Sequence, residues 1–289
     1  MLVSGFTIIR NAIKYDYPIV EAIRSILPLC DEMIVAVGNS DDSTLELIQS
    51  INSPKIKIIR SVWDDSLREG GRVLALETDK AFQAVTKDSD WTFYIQGDEV
   101  LHEKYIPAAK EAMLKWKDNK RVDGLLFNYK HFYGSYDYIG DSRRWYRKEI
   151  RVIRNDKTIS SWMDAISFRR NGNKLSVKPV DACMYHYGWV KPPSAQQEKQ
   201  KSFHKMWHDD EWMKKNISQQ NEFDYGNIDS LEKFLETHPA VMQERIKNRN
   251  WSFTYDPSMK KLSLKNKLSN VIEKKIGWRI GEYKNYKII

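Results

Sequence analysis

The chain has 289 residues and a mass of 34.1 kDa, with 41% hydrophobic and 30% charged residues, a formal charge of +8 and a mean hydropathy of -0.63. These figures describe one large or two modest domains, and no apolar run approaches the roughly 18 residues of a membrane-spanning helix, which excludes a helical integral membrane protein. The charge is uneven: from Lys260 to Ile289 nine Lys or Arg stand against Glu273 and Glu282, a net +7, so a pI near 9.2 reports the tail rather than a nucleic-acid-binding surface.

The opening MLVSGFTIIR has no basic residue before its apolar run and no small-residue cleavage pattern. It is expected to be a first strand rather than a signal peptide, in a chain that starts here and works in the cytosol. Cys30 and Cys183 make neither a CxxC pair nor a disulfide framework. They are expected to be small buried hydrophobes in a reducing compartment, with no structural zinc.

The first half alternates strand-like and helix-like stretches, the pattern of an α/β fold. Gly5–Ile9 predicts a buried parallel strand ending near Asn11, followed by a helix opened by Pro18 with Ile19, Ile23, Ile26 and Leu27 on one stripe. A second strand spans Met33–Val37, the turn Gly38–Asp42 follows, then a helix over Thr44–Ile51 and a third strand over Ile56–Ile59. A helix over about 72–85 leads to the strand Trp91–Ile95, which ends in Gln96-Gly97-Asp98-Glu99. A further helix carries Ile106, Ala109, Met113 and Trp116, and Gly124–Tyr129 is the next strand. Residues 129–187 are aromatic and strand-like with turns at Gly134, Gly140 and Asn171–Asn173, an antiparallel extension. Past Pro192-Pro193 the expected elements are polar helices over about 194–215, a helix over Asp229–Glu236 with a capping box, and one opened by Pro239. The domains expected are 1–193, catalytic, and 194–289, a helical extension with the basic tail.

In an open α/β sheet ligands bind at the carboxyl ends of the strands. Asp98 and Glu99, directly after the apolar WTFYI, are costly to hold together unless solvent, hydrogen bonds or a cation offsets their repulsion, and a hard divalent ion would do so. The alternative is a helix start with acids in its first turn. The segment Met184–Pro193, MYHYGWVKPP, spaces His186, Gly188 and Lys191 so that a histidine could complete a metal site, a glycine admit a phosphate and a lysine charge it. Packing of His186 between two tyrosines is the plainer reading.

The strand order, the strand-terminal QGDE, and RVIRNDKTISSWMD followed by HYGWVKPP resemble family 2 glycosyltransferases of the GT-A fold, over roughly residues 3–193. The resemblance implies a Rossmann-like, mostly parallel sheet flanked by helices, and a divalent metal (Mn2+ or Mg2+) holding a nucleotide-sugar diphosphate through a DxD motif. Here Gln96-Gly97-Asp98 is the matching tripeptide, so Asp98 is the implied ligand, Gln96 replaces the first Asp and Glu99 supplements it. HxGxxKP is similar to the HxxGxxKP signature of family 8 glycosyltransferases, with one residue fewer between His and Gly, and implies His186 on the metal and Lys191 on the diphosphate. Relatives carry Asp-Asp-Gly-Ser after the second strand, where this chain has Val37-Gly38-Asn39-Ser40. Asp41 and Asp42 either face the nucleotide or cap the second helix. Asn11 and Asp64 are the other nucleotide candidates, Asp64 alternatively being an ordinary loop acid. Asp164 matches the acidic residue that would deprotonate the acceptor, or else it caps a strand or pairs with Arg169. Arg151 and Arg154 alternate on a strand and read equally well as surface charge.

The function implied is an inverting, metal-dependent glycosyltransferase acting on a nucleotide-sugar donor and a carbohydrate or lipid-linked acceptor. A nucleotidyltransferase would need a glycine-rich basic loop after the first strand, which this chain lacks. A basic nucleic-acid- or membrane-binding module leaves HYGWVKPP unexplained. The tail places Leu264, Leu268, Val271 and Ile272 at helical spacing among lysines. It is expected either to dock on the catalytic domain or to make a peripheral contact with an anionic membrane, where each basic residue contributes about 1 kcal/mol.

Overall fold

The computed structural model describes all residues except Trp278 and Ile280; within the last helix the side chains of Leu264, Lys265, Lys267, Leu268, Lys274 and Ile276 also lie outside the described set. Four strands, β1 (Val3–Ile9), β2 (Glu32–Gly38), β3 (Ile56–Ser61) and β4 (Trp91–Tyr94), form a parallel half-sheet in spatial order 3-2-1-4. Helices α1 (Ile19–Ile26), α2 (Thr44–Gln49) and α3 (Arg72–Gln83) connect them. β1 and β2 are buried along their whole length, as apolar strands covered on both faces must be. The alternation of β2 shows it: Met33, Val35 and Val37 share one core with Ile19, Ile23 and Ile26 of α1, and Ile34 and Ala36 share the other with Val73, Ala81 and Phe82 of α3.

A short strand that the sequence did not reveal, β5 (Glu99–Leu101), follows Asp98 at once and leads to α4 (Ile106–Trp116). The antiparallel half then adds β6 (Gly124–Tyr133), β7 (Ser135–Gly140) and β8 (Lys148–Arg154), in the order β4-β8-β6-β7. A separate small sheet contains β9 (Ile159–Trp162), β10 (Ser167–Arg170) and β11 (Asn173–Lys174). The long β12 (Ser176–Trp189) runs parallel to β6 and antiparallel to β5, pairing His186 with Glu99 in register. This is the mixed α/β architecture expected, a Rossmann-like parallel half joined to an antiparallel extension.

Beyond Pro192, which caps it, α5 (Pro193–Lys205) ends early and α6 (Asp210–Asn216) restarts with Asp209 accepting from the Trp212 backbone N–H. The helix expected over Asp229–Glu236 is instead β13 (Leu231–Lys233), antiparallel to the open edge of β7. Pairing with that edge, with Leu231 buried, outweighs the local capping signal. Then come α7 (Gln243–Lys247), α8 (Leu264–Ile276) and β14 (Lys287–Ile288), which pairs with the start of β12. The tail is docked by specific contacts: Arg147 bonds Glu282, Asn285 bonds Arg169 and Glu149, and Tyr286 is buried. Of its expected apolar stripe, Val271 is exposed, and the side chains of Leu264 and Leu268 lie outside the described residues. Cys30 and Cys183 are both free and buried.

Candidate active site

A cleft of about 830 Å³ opens at the carboxyl ends of β1 to β4, lined there by Asn11, Asp41, Trp63, Asp64, Gln96 and Asp98. Asn11 is buried at a positive φ of 55°, and its Oδ1 accepts from the Asp41 backbone N–H at 2.7 Å, so it shapes the turn after β2. Asp42 accepts from the Thr44 backbone N–H (3.0 Å) and hydroxyl and from the Lys14 N–H. It braces the first residue of α2 from one residue ahead of the N-cap Ser43, close to the capping alternative, and Asp41 rather than Asp42 lines the cleft wall. Asp64 stands exposed on the rim and accepts from the backbone N–H and hydroxyl of Ser66.

The turn between β4 and β5 delivers Asp98, and the end of β12 delivers His186, with Nε2 3.7 Å from Asp98 Oδ1. The tautomer of His186 follows from its neighbours. The Tyr146 carbonyl can only accept, so His131 donates from Nε2 at 2.8 Å, and its Nδ1 then accepts from His186 Nδ1 at 3.1 Å. His186 therefore presents a bare Nε2 towards Asp98. Burial holds both imidazoles below their ordinary range, for His131 with His186 adding to the effect and for His186 with Asp98 opposing it. Two acceptors facing each other call for positive charge, and Lys199 of α5 brings it, with Nζ 3.0 Å from Asp98 Oδ2 and 3.0 Å from the Gly188 carbonyl. Burial alone would raise the Asp98 carboxyl, but the charge of Lys199 bonded to it holds it below the usual carboxylate range. Gly188 is required by this closure, since a Cβ there would come within 2.6 Å of His186 Nε2 and 2.7 Å of Asp98 Oδ2.

Lys191, the cation expected on the diphosphate, is turned away from the cleft. Its side chain is fully buried, Nζ donates to the Tyr15 carbonyl at 2.6 Å and lies over the Tyr17 ring. Glu99 is likewise committed elsewhere. Arg151 grips it with two bonds, Nε to Oε2 at 2.8 Å and Nη2 to Oε1 at 2.7 Å, and the Tyr129 hydroxyl donates to the same carboxylate. Both side chains of the pair have no exposed surface. Arg151 Nη1 also donates to the Ile166 carbonyl at 3.1 Å, so one guanidinium ties the Asp98 turn to the Asp164 turn. Arg154, the other strand arginine, bonds the carbonyls of Trp116, Lys117, Asn119 and Val122 behind the C-terminus of α4.

The resemblance implies a divalent ion on Asp98, Glu99 and His186, and the residues present do not fit that three-ligand site. Glu99 is spent on Arg151, Gln96 replaces a carboxylate and donates its amide to the Ala165 carbonyl, and Asp98 already carries an ammonium. Among the described residues no group of three or more His, Cys, Asp and Glu is placed to hold a metal. A dication on Asp98 would also stand close to the Lys199 charge, a repulsion of several kcal/mol in a partly desolvated cleft.

Asp164 lines the same cleft, on the turn between β9 and β10. Its neighbours Met163 and Ala165 both hold positive φ (55° and 63°), a costly backbone that points to function. Burial raises its carboxyl above the ordinary value, against backbone N–H bonds from its own residue and Ile166. Gly71, the N-cap of α3, makes room for it, because a Cβ there would lie 2.7 Å from Asp164 Cβ. Aromatic side chains of Trp145, Tyr146 and Trp189 form the remaining wall. The residues that sequence reasoning missed are Lys199, His131 and Arg151 as a buried strut. Only the helical phase of Lys199, three residues after the buried Gln196, carried a signal for any of them.

No family model matches the chain, and no curated protein matches it. Solved structures align with part of it. Residues 1–349 of S. aureus TarS in complex with UDP align at 16% identity over 70% of this chain and 64% of that one, with a TM-score of 0.41. Glucosyl-3-phosphoglycerate synthase from Mycobacterium tuberculosis, in complex with Mn2+, UDP and phosphoglyceric acid, aligns at 20% identity over 46% and 43%, with a TM-score of 0.30. The chain thus spans less than two thirds of the length of these proteins.

Proposed function

We propose that the chain is a glycosyltransferase that moves a sugar from a nucleotide-diphosphate donor to a hydroxyl of a carbohydrate or lipid-linked acceptor, with inversion at the anomeric carbon. The observation that carries this reading is the cleft at four parallel strand ends, with the Asp98–His186–Lys199 cluster and the separate, raised carboxyl of Asp164 on its walls. A cleft of this size accommodates a nucleotide sugar, and its Trp and Tyr faces suit the apolar faces of sugar rings.

In the transfer, the acceptor oxygen forms its bond to the anomeric carbon as the bond from that carbon to the diphosphate oxygen breaks. The electron pair leaves with the nucleoside diphosphate, and Asp164 takes the acceptor's proton. Beside charge stabilisation of the leaving diphosphate, the rest is positioning: Arg151 sets the turns that carry Asp98 and Asp164, and His131 fixes the tautomer of His186. The first test is ligand-dependent melting of the full chain. A nucleoside diphosphate should raise the melting temperature, since it binds the folded state alone. A response to polyanions that collapses with salt, and none to nucleotides, would instead mark a nucleic-acid binder.

A further inference from the structure

The disagreement between the expected metal site and the side chains present has a chemical consequence. A departing diphosphate needs positive charge beside it, and in this chain Asp98 already carries an ammonium on the cleft wall. We propose that Lys199 is an intrinsic cation for the donor's diphosphate, standing on Asp98 where the resemblance puts a divalent ion, so that the nucleotide is bound without a metal. The proposal rests on the glycosyltransferase reading.

Several observations converge on Lys199. It lies on α5, three residues after the fully buried Gln196, with Phe203 and Met206 further along the same cleft-facing side. Its ammonium has three donors, of which one bonds Asp98 Oδ2 and one the Gly188 carbonyl, leaving the third for a ligand. The side chain is 12% exposed, so its charge is poorly screened yet reachable from the cleft. Asp98 orients the ammonium, and the missing Cβ of Gly188 lets strand, carboxylate and ammonium close together. Arg144, over the rings of Trp145 and Trp189 on the same cleft, adds a second cation. Lys191 cannot serve, because it is sealed beneath Tyr15 and Tyr17.

Calorimetric titration of the full chain with UDP, GDP, CDP and ADP, each in EDTA and in Mn2+, tests this. The wild type should bind its preferred diphosphate with affinities that agree within about threefold in the two conditions. Lys199→Ala should lose about tenfold or more in EDTA, the size of one charge-assisted hydrogen bond. It should regain affinity in Mn2+, because Asp98 and His186 are then open to the ion. Lys199→Arg should keep metal-free binding. Melting curves without ligand check that each variant is folded, and Lys199→Gln replaces the alanine variant if that one is not. Wild-type binding that requires Mn2+ overturns the proposal while the glycosyltransferase reading stands, as does metal-free binding by Lys199→Ala equal to wild type. No binding of any diphosphate in either condition overturns that reading and the proposal with it.

Discussion

Replacing Glu99 with Gln separates a structural acid from a ligand. Its carboxylate receives two guanidinium bonds from Arg151 and one from the Tyr129 hydroxyl, with no exposed surface on either partner of the ion pair. A glutamine keeps one acceptor and leaves the Arg151 charge uncompensated in the core. Breaking such a pair costs about 3–5 kcal/mol, and at about 2–4 °C per kcal/mol for a domain of this order the melting temperature should fall by roughly 10 °C. Urea unfolding and thermal melting give the loss directly, and nucleotide titration below the transition should show affinity near wild type. The double variant Glu99→Leu with Arg151→Met, which removes both charges, should lose less than either single change. Melting within a degree or two of wild type, with nucleotide affinity lost, would refute the reasoning and return Glu99 to the ligands.

Asp164→Asn should lower kcat by about 10²-fold or more with donor affinity unchanged. The wild-type rate should fall in acid with an apparent pKa above the ordinary carboxylate value, because burial raises the group that must be ionised; turnover within about threefold of wild type would place the base elsewhere. Glu149, buried beside Asn285, is raised from 4.5 to about 6 by burial. The stability from its protonated form is complete below 4.5 and lost as pH rises through about 6, so Glu149→Gln should gain about 2 kcal/mol at pH 8 and nothing near pH 4 in urea unfolding. Deleting residues 282–289 removes the Arg147–Glu282 pair, Asn285, the buried Tyr286 and β14. It should lower the melting temperature, whereas unchanged melting with loss of binding to anionic liposomes would make the tail a membrane contact instead.

The parallel half of the fold was legible because continuous apolar strands and 3.6-residue stripes report burial on both sheet faces, as in β1, β2 and α1. Asp98 stood out in the sequence as a strand-end acid and His186 as a histidine two residues before a glycine, and β5 pairing with β12 brings them within 3.7 Å of each other. What stayed hidden depended on tertiary placement. Lys191 and Lys199 are both lysines near the same prolines, and only the packing of Tyr15 and Tyr17 decides which one is sealed off and which reaches the cleft. Arg151 sits on a strand whose two faces differ only in what covers them, so its alternation with Arg154 could not say that both are buried. The segment 229–236 carried a helix signal, yet the edge of β7 offered it a ladder.

Release of nucleoside diphosphate from a panel of nucleotide sugars, in EDTA and in Mn2+, measures the transfer most directly. One donor should be hydrolysed slowly without acceptor, with Asp98→Asn and Lys199→Ala both slower than wild type in EDTA. A folded protein that releases diphosphate from none of the donors in either condition, and melts at the same temperature with and without them, would contradict the account.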